Sequence, residues 1–270
     1  MEGNVVMRSV LITGAASGIG AAVCDYLLDR GYRIYALDVS PTQKKDNLVG
    51  FTADIRQEDE LCQVAEKINA DGVTLEAIIN VAGIHAMTSL VEGDFERIKR
   101  LMDINLCGTM LVNKVFHPHL DKKGRIIIVT SEVATFAPMP FNGLYTISKN
   151  ALESYAQALR QELNLIGQKV ITIRPGAIET PLCRGSVSDT DSLAKSTVLY
   201  KKQAGRFCNI ASKFMGTPMK AEKLAKLIYR ALTSKHPRLS YKKHRNPGLI
   251  LLNLLPLRMQ CWVIKLLLNA

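Results

Sequence analysis

Five short runs dominate the apolar pattern of the chain: SVLITG (9–14), RIYALDV (33–39), LEAIINVAG (75–83), GRIIIVTS (124–131) and KVITIRPG (169–176). Each is nearly continuous in apolar residues instead of alternating, which is how a strand covered on both faces reads. Most are joined by longer segments with helical periodicity, such as AAVCDYLLDRG (21–31) and DELCQVAEKINADG (59–72). Strand and helix in alternation predict a single α/β domain, a doubly wound parallel sheet with helices on both faces and right-handed crossovers. Between 182 and 216 the pattern weakens into a polar, helix-compatible stretch, where we expect a substrate lid. An amphipathic helix, AEKLAKLIYRALTS (221–234), follows, then an edge strand near RLSYKK and a leucine-rich end from 246 to 270. We therefore read residues 1–245 as one domain and 246–270 as an apolar, basic helical extension.

A chain of 270 residues, 47% hydrophobic and 22% charged, is long enough to bury one full core. Its six cysteines are scattered, with no C-x-x-C pair and no histidine at ligand spacing, so we expect reduced thiols, no metal and an intracellular, cytoplasmic location. The start runs almost directly into a strand, so we expect no secretory signal.

Charge changes the picture more than composition does. Residues 1–191 carry 19 Lys and Arg against 23 Asp and Glu, a net of −4, whereas residues 192–270 carry 16 against the single Glu222, a net of +15. That basic third has few interleaved aromatics and no nucleic-acid-binding pattern, so we expect no nucleic-acid partner. A membrane surface or an anionic substrate group suits it better. Pro256, Arg258 and Lys265 interrupt the leucines of 249–268, which argues against a spanning helix of about 20 clean apolar residues. Two readings stay open: peripheral membrane contact through 246–270, with Trp262 as interfacial anchor, or a helix packed on the sheet or on another subunit.

The first candidate chemistry is TGAASGIG, Thr13 to Gly20, between the first strand and a helix. Gly14 allows a sharp turn, Gly18 lets backbone amides approach a pyrophosphate, and Gly20 permits close helix packing, with Ser17 and Ile19 in the same turn. Asp38 ends the second strand 20 residues after Gly18, where a carboxylate accepts hydrogen bonds from an adenosine ribose. It also repels a 2′-phosphate, and no Arg or Lys follows until Lys44, so NAD is favoured over NADP. The second is YTISK, which puts Tyr145 and Lys149 on one face of a predicted helix. Exchange of a proton with a substrate oxygen suits a tyrosine whose pKa a nearby ammonium lowers. Ser131, at the end of the fourth run and fourteen residues before Tyr145, is placed to hold that oxygen. Glu132 is a poorer choice, because its carboxylate would repel a developing alkoxide.

The G-x-x-x-G-x-G spacing, followed in order by the other motifs, resembles the short-chain dehydrogenase/reductase family over residues 8–185, which implies a Rossmann-type fold. The resemblance implies cofactor contacts at Asp54 and Ile55 after the third strand, at Asn80, Ala82 and Gly83, at Tyr145 and Lys149, and at Pro175, Gly176, Ile178 and Thr180. Val81 stands where the family has a second asparagine. Asn105, in MDINLCGT, is similar to the family's helix asparagine, whose backbone helps hold a proton-relaying water. The implied reaction is interconversion of an alcohol and a ketone, with Lys149 binding the nicotinamide ribose. The long apolar C-terminal extension resembles that of members acting on steroids, retinoids or acyl-glycerone lipids, so a small hydrophobic substrate is expected, and the cations suit a lipid phosphate. Family members pair the helices near Asn105 and Tyr145, which implies a homodimer or homotetramer. The alternative is a catalytically weak cofactor-binding or membrane-surface scaffold of the same fold. An epimerase or dehydratase of the extended relatives would need a larger C-terminal domain.

Overall fold

Alternate residues of a strand face opposite sides, so a strand buried on both sides must be apolar throughout. The first apolar run obeys this. In a computed structural model, which describes residues 7–183, 193–195, 197–214 and 217–270, it forms β1 (Ser9–Thr13), fully buried along its length. Val10 and Ile12 enter one core, and Leu11 enters the other. The four remaining runs become β2 (Arg33–Asp38), β4 (Leu75–Asn80), β5 (Leu120–Val129) and β6 (Lys169–Pro175).

Two edge strands complete the sheet. β7 (Ser240–Lys243) lies where RLSYKK placed it, whereas β3 (Leu48–Thr52) is absent from the five runs. Its sequence, LVGFT, is short, contains Gly50 and is only partly buried, because an edge strand has one neighbour and one open side. The seven strands are ordered β3-β2-β1-β4-β5-β6-β7, and every pairing between neighbours is parallel. Strand order reverses between β1 and β4, which opens a crevice beyond their carboxyl ends.

Helix α1 (Gly18–Leu28) covers one face together with α7 (Ala221–Thr233), whose Leu224, Ile228, Ala231 and Leu232 are buried. The other face is covered by α2 (Glu58–Ala70), α4 (Thr109–Phe116) and the long α5 (Gly143–Asn164). Helix α3 (Phe95–Met102) runs into α4 through one π-helical turn, Asp103–Gly108. Glu153 of α5 ties three elements together. It accepts from Thr130 (2.6 Å) after β5 and forms two bonds with Arg174 of β6 (2.7 and 2.6 Å).

Of the lid expected at 182–216, residues 184–192, 196, 215 and 216 lie outside the described residues. The described part contains α6 (Lys201–Phe214), whose Ala204 and Phe207 pack with Met87, Phe141, Leu193 and Leu268. The extension forms two helices, α8 (Pro247–Asn253) and α9 (Leu257–Asn269). Leu268 of α9 belongs to the cluster under α6, so one side of the extension packs on the body of the protein. Among the described residues, no helix is long and apolar enough to cross a membrane.

Candidate active site

The glycine-rich turn holds its shape by excluding side chains. At Gly14 (φ +68°) a Cβ would lie 2.8 Å from the Ala82 backbone, and at Gly20 it would fall 1.9 Å from the Gly14 carbonyl oxygen. Gly18 (φ +54°) faces the loop after β6, with a Cβ position 3.0 Å from Thr180 Cγ2. Ser17 is the N-cap of α1, but its side chain does not cap, and the first turn contains no acidic residue. The first-turn amides, those of Gly18, Ile19 and Gly20 among them, have no intrahelical acceptor and lie at the positive end of the helix dipole. That arrangement suits a pyrophosphate.

Asp38, at the end of β2, reaches back to this turn. Its Oδ2 accepts from the Ala16 amide (3.0 Å) and its Oδ1 from the Ser40 amide (2.9 Å). Each carboxylate oxygen has two lone pairs, so capacity remains for a ribose diol. Across the crevice, Thr13 Oγ1 accepts from both the Val81 and Ala82 amides (3.2 Å each). The backbone at position 81 therefore makes the tie across β1 and β4. Asn80 donates to Asn113 Oδ1 (2.8 Å), and Asn113 donates to the Tyr155 hydroxyl (3.1 Å).

Ser131, Tyr145, Lys149 and Asn105 meet beyond β4 and β5. Ser131 opens a short helical turn, where its Oγ accepts from the Val133 amide (3.4 Å), and its hydroxyl is near enough to Tyr145 to favour the ionised phenol. Lys149, one turn after Tyr145 on α5, is buried; its Nζ donates to the Val129 carbonyl (3.3 Å) and lies 5.8 Å from the Tyr145 ring centre. A Cβ on Gly83 would sit 3.4 Å from Lys149 Nζ and 3.1 Å from Asn105 Oδ1, so this glycine lets both groups approach the loop after β4. Asn105 lies in the π-helical turn, a geometry often found at functional sites. Its side chain locks Ile84 by accepting from the amide (2.8 Å) and donating to the carbonyl (2.9 Å), and it also donates to Ser148 Oγ (3.0 Å). Its own carbonyl accepts from Thr109 Oγ1 (3.1 Å).

Burial moves the two titratable groups in opposite directions. It pushes the Tyr145 phenol up to about 12, a rise that the Ser131 hydroxyl opposes, and brings the Lys149 ammonium down to about 8. At neutral pH the pair is therefore a protonated phenol beside a buried cation.

The other residues expected at the cofactor sit more loosely around this centre. The Asp54 carboxylate is held by Arg56 in an ion pair (2.5 Å), which lowers its pKa. Ile55 is buried below the π-helical turn, where a Cβ on Gly108 would meet its Cδ1 at 2.8 Å. After Pro175, Gly176 donates to the Lys243 carbonyl (2.9 Å), and a Cβ there would fall 1.8 Å from the His244 carbonyl oxygen. Ile178 is buried and bridges to Met219. Thr180 donates to the Ile178 carbonyl (3.3 Å) and accepts from the Cys183 amide (3.1 Å).

Two neighbours were not assigned from sequence. His85 stands edge-on to the Tyr145 ring, centres 4.6 Å apart, with Nε2 3.0 Å from Asn142 Oδ1. Its position just past Gly83, beyond the end of β4, was the available signal. Glu132 is buried and turned toward the C-terminal extension; its Oε2 accepts from the Asn246 amide (2.7 Å). Burial raises its pKa, against the hydrogen bond from Asn246 and the fields of Arg245 and His244.

Lys149→Met should raise the unfolding free energy at pH 7 by on the order of 1–3 kcal/mol, because it removes a buried charge. The folded pKa of about 8 lies below the unfolded value of 10.5, so the cost is complete below pH 8 and fades as pH rises toward 10.5. Urea unfolding of parent and variant should accordingly show a gap that closes with pH; a gap independent of pH contradicts the burial assignment. Glu132→Ala should lose about 1–3 kcal/mol, by leaving the Asn246 amide without its acceptor. Glu132→Gln retains an acceptor and sheds a buried charge, so its thermal midpoint should equal or exceed that of the parent. Equal losses in both variants would rule out the acceptor role.

A family model described as short chain dehydrogenase matches residues 8–191, more than half of the chain. The NADPH-dependent 1-acyldihydroxyacetone phosphate reductase of Schizosaccharomyces pombe is 32% identical over 183 residues, 65% of this chain and 61% of the yeast protein. Mouse estradiol 17-beta-dehydrogenase 2 is 31% identical over 208 residues, 71% of this chain and 53% of the mouse protein. Each match thus spans less than two thirds of the relative. A solved short chain dehydrogenase from Burkholderia cenocepacia, in complex with NADP, superposes with a TM-score of 0.73 at 22% identity, over 95% of this chain and 96% of that one. The chain belongs to the short-chain dehydrogenase/reductase family of oxidoreductases.

Proposed function

We propose that the protein is an NAD(H)-dependent oxidoreductase that interconverts an alcohol and a ketone on a small hydrophobic, steroid-, retinoid- or lipid-like substrate. The observation that carries this reading is the pairing on α5 of Tyr145 with the buried Lys149, whose Nζ lies 5.8 Å from the Tyr145 ring centre, beside the loop that presents Ser131. The glycine turn, Asp38 and the loops at Ala82, Gly83 and Thr180 would hold the dinucleotide. Bound, it supplies the hydride donor or acceptor and, when oxidised, a positive charge.

The residues of the chain do the rest. Ser131 holds the substrate oxygen beside Tyr145. In reduction, Tyr145 gives that oxygen its phenolic proton as the carbonyl becomes an alcohol; in oxidation it takes the proton back. Lys149 favours the tyrosinate and helps hold the nicotinamide ribose. Asn105 holds the Ile84 loop that flanks them. Asp38 supports NAD over NADP, since its carboxylate faces the turn where a 2′-phosphate would lie. The yeast relative is NADPH-dependent by name, so the choice between the two cofactors needs its own measurement. Similarity to an acyldihydroxyacetone phosphate reductase and to an estradiol dehydrogenase supports a bulky apolar substrate. The free thiols of all six cysteines support an intracellular, cytoplasmic setting.

A homodimer or homotetramer through α4 and α5 is part of the same proposal. The two helices leave an apolar groove lined by Met110, Leu111, Tyr155 and Leu159, with Met110 43% exposed. A sedimentation mass above that of the monomer is expected, and a monomeric mass would overturn the assembly.

Purified protein assayed against steroid, retinoid-like, acyl-glycerone phosphate and small polar ketones should consume NADH with the long apolar ones only. Tyr145→Phe should lower kcat by about 10²–10⁴-fold while NADH still binds. A preference for NADPH overturns the Asp38 reading. Unchanged turnover in Tyr145→Phe overturns the proton-donor role, and tight NADH binding without any turnover points to a scaffold.

A further inference from the structure

A surface helix that packs one face on the body of a protein carries polar residues on the other. Helix α9 does not. Its inward stripe is Gln260, Ile264 and Leu268, spaced i, i+4 and i+8, with Ile264 and Leu268 in the cluster beneath α6. The chain end is pinned there by Gln203, which donates to Asn269 Oδ1 (2.8 Å), and by Arg206, which donates to the Ala270 carbonyl oxygen (2.6 Å). The opposite face presents Met259, Trp262 and Leu266, spaced i, i+3 and i+7, and all are exposed, Trp262 by 62%. Leu251 on α8, Leu254 in the bend and Leu257 at the start of α9 add to this, with exposures of 67, 75 and 66%. Single exposed leucines are ordinary, but six large apolar side chains on one helical hairpin are not.

The charges around them have one sign. From Lys223 to Ala270 the chain contains ten Lys and Arg and no Asp or Glu. Arg258 and Lys265 lie on α9 itself, both exposed, and exposed Lys242 and Lys243 precede α8. A second copy of this chain docked on the same face would bring these cations against themselves, with no carboxylate on the hairpin to offset them. An anionic lipid surface offers the opposite charge and an apolar interior. The hairpin is too short to cross it: the 13 residues of α9 span about 20 Å, against about 30 Å of hydrocarbon.

We propose that the α8–α9 hairpin is a monotopic docking face for an anionic lipid bilayer, with Leu251, Leu254, Leu257, Trp262 and Leu266 entering the interface while Arg258 and Lys265 meet the headgroups. The inner side of α9 packs with Phe141 and Met87, and Phe141 lies four residues before Tyr145. The proposal does not rest on the dehydrogenase reading, and its test uses no turnover.

Trp262 is the only tryptophan, so its emission reports the hairpin alone. The full chain is mixed at low ionic strength with phosphatidylcholine vesicles, with or without phosphatidylserine, and followed by flotation and by fluorescence. Flotation with the anionic vesicles and a blue-shifted emission are expected, both weakening as salt is added. Leu254→Glu should lower the partition at least tenfold, and so should Arg258→Gln combined with Lys265→Gln. Val91→Glu, at an exposed apolar position outside the hairpin, should leave it unchanged. Unfolding midpoints equal to that of the parent show that the variants are folded. Absence of flotation at low salt overturns the proposal, and so does flotation with unchanged Trp262 emission. A protein that ignores vesicles and whose solution mass falls on Trp262→Glu has a second copy on this face, which also overturns it.

Discussion

The close approach of two backbone segments at the carboxyl ends of β1 and β4 is the constraint on which the rest of the site depends. Gly14 and Ala82 touch there with no space for a Cβ, and the Thr13 hydroxyl joins the two segments through the Val81 and Ala82 amides. Because the turn is pinned on this side, its Ala16 amide meets Asp38 on the other, and α1 starts with its amides facing the crevice. The same contact sets the course of the loop that follows, so that Gly83 passes beside Lys149 and Asn105. The glycine turn and the loop beside Lys149 and Asn105 are thus placed by one junction, which the apolar strands hold from below.

Burial then prepares the chemistry. A free phenol and a free ammonium titrate close together, near 10.0 and 10.5, whereas in this site they separate to about 12 and about 8. At neutral pH the separated pair keeps a proton on Tyr145 and a charge on Lys149, the state required to protonate a ketone oxygen. Oxidation in the reverse sense requires the phenol to fall, and a further positive charge close by would lower it. The desolvated cation costs stability in the resting protein. Active sites commonly hold such groups where a better-packed apolar residue would make a more stable fold.

Most of the fold could be read from the sequence because parallel strands buried on both faces leave an uninterrupted apolar trace. β3 left no such trace, since an edge strand with one open side and a central glycine has no need of it. The placing of Tyr145 and Lys149 on one helix face was legible because i, i+4 spacing on a helix is a local property. Their surroundings were not. His85 and Glu132 acquire their positions from tertiary contacts with Asn142, Tyr145 and Asn246, which lie 57, 60 and 114 residues away from them in the chain. The C-terminal extension was ambiguous for a related reason. Its leucines suit a packed helix and a lipid-facing one equally, and the structure shows that α9 has an apolar stripe on each side.

The extension is also joined to the loop that carries Ser131. Glu132, adjacent to Ser131, accepts from Asn246; Arg245 stacks over Phe136 at 4.8 Å; and Asn253 accepts from the Ala137 amide (2.8 Å). The loop that presents Ser131 is therefore held on one side by β5 and α5, through Thr130 and Glu153, and on the other by residues 245–253. A loop held only from the sheet would leave its far end free to move the serine relative to Tyr145. The loop is therefore fixed at both ends, by the sheet and by the residues at and before α8. The hairpin is thus linked to the loop that presents Ser131 through three identifiable contacts, all made by residues at the start and end of α8 or just before it.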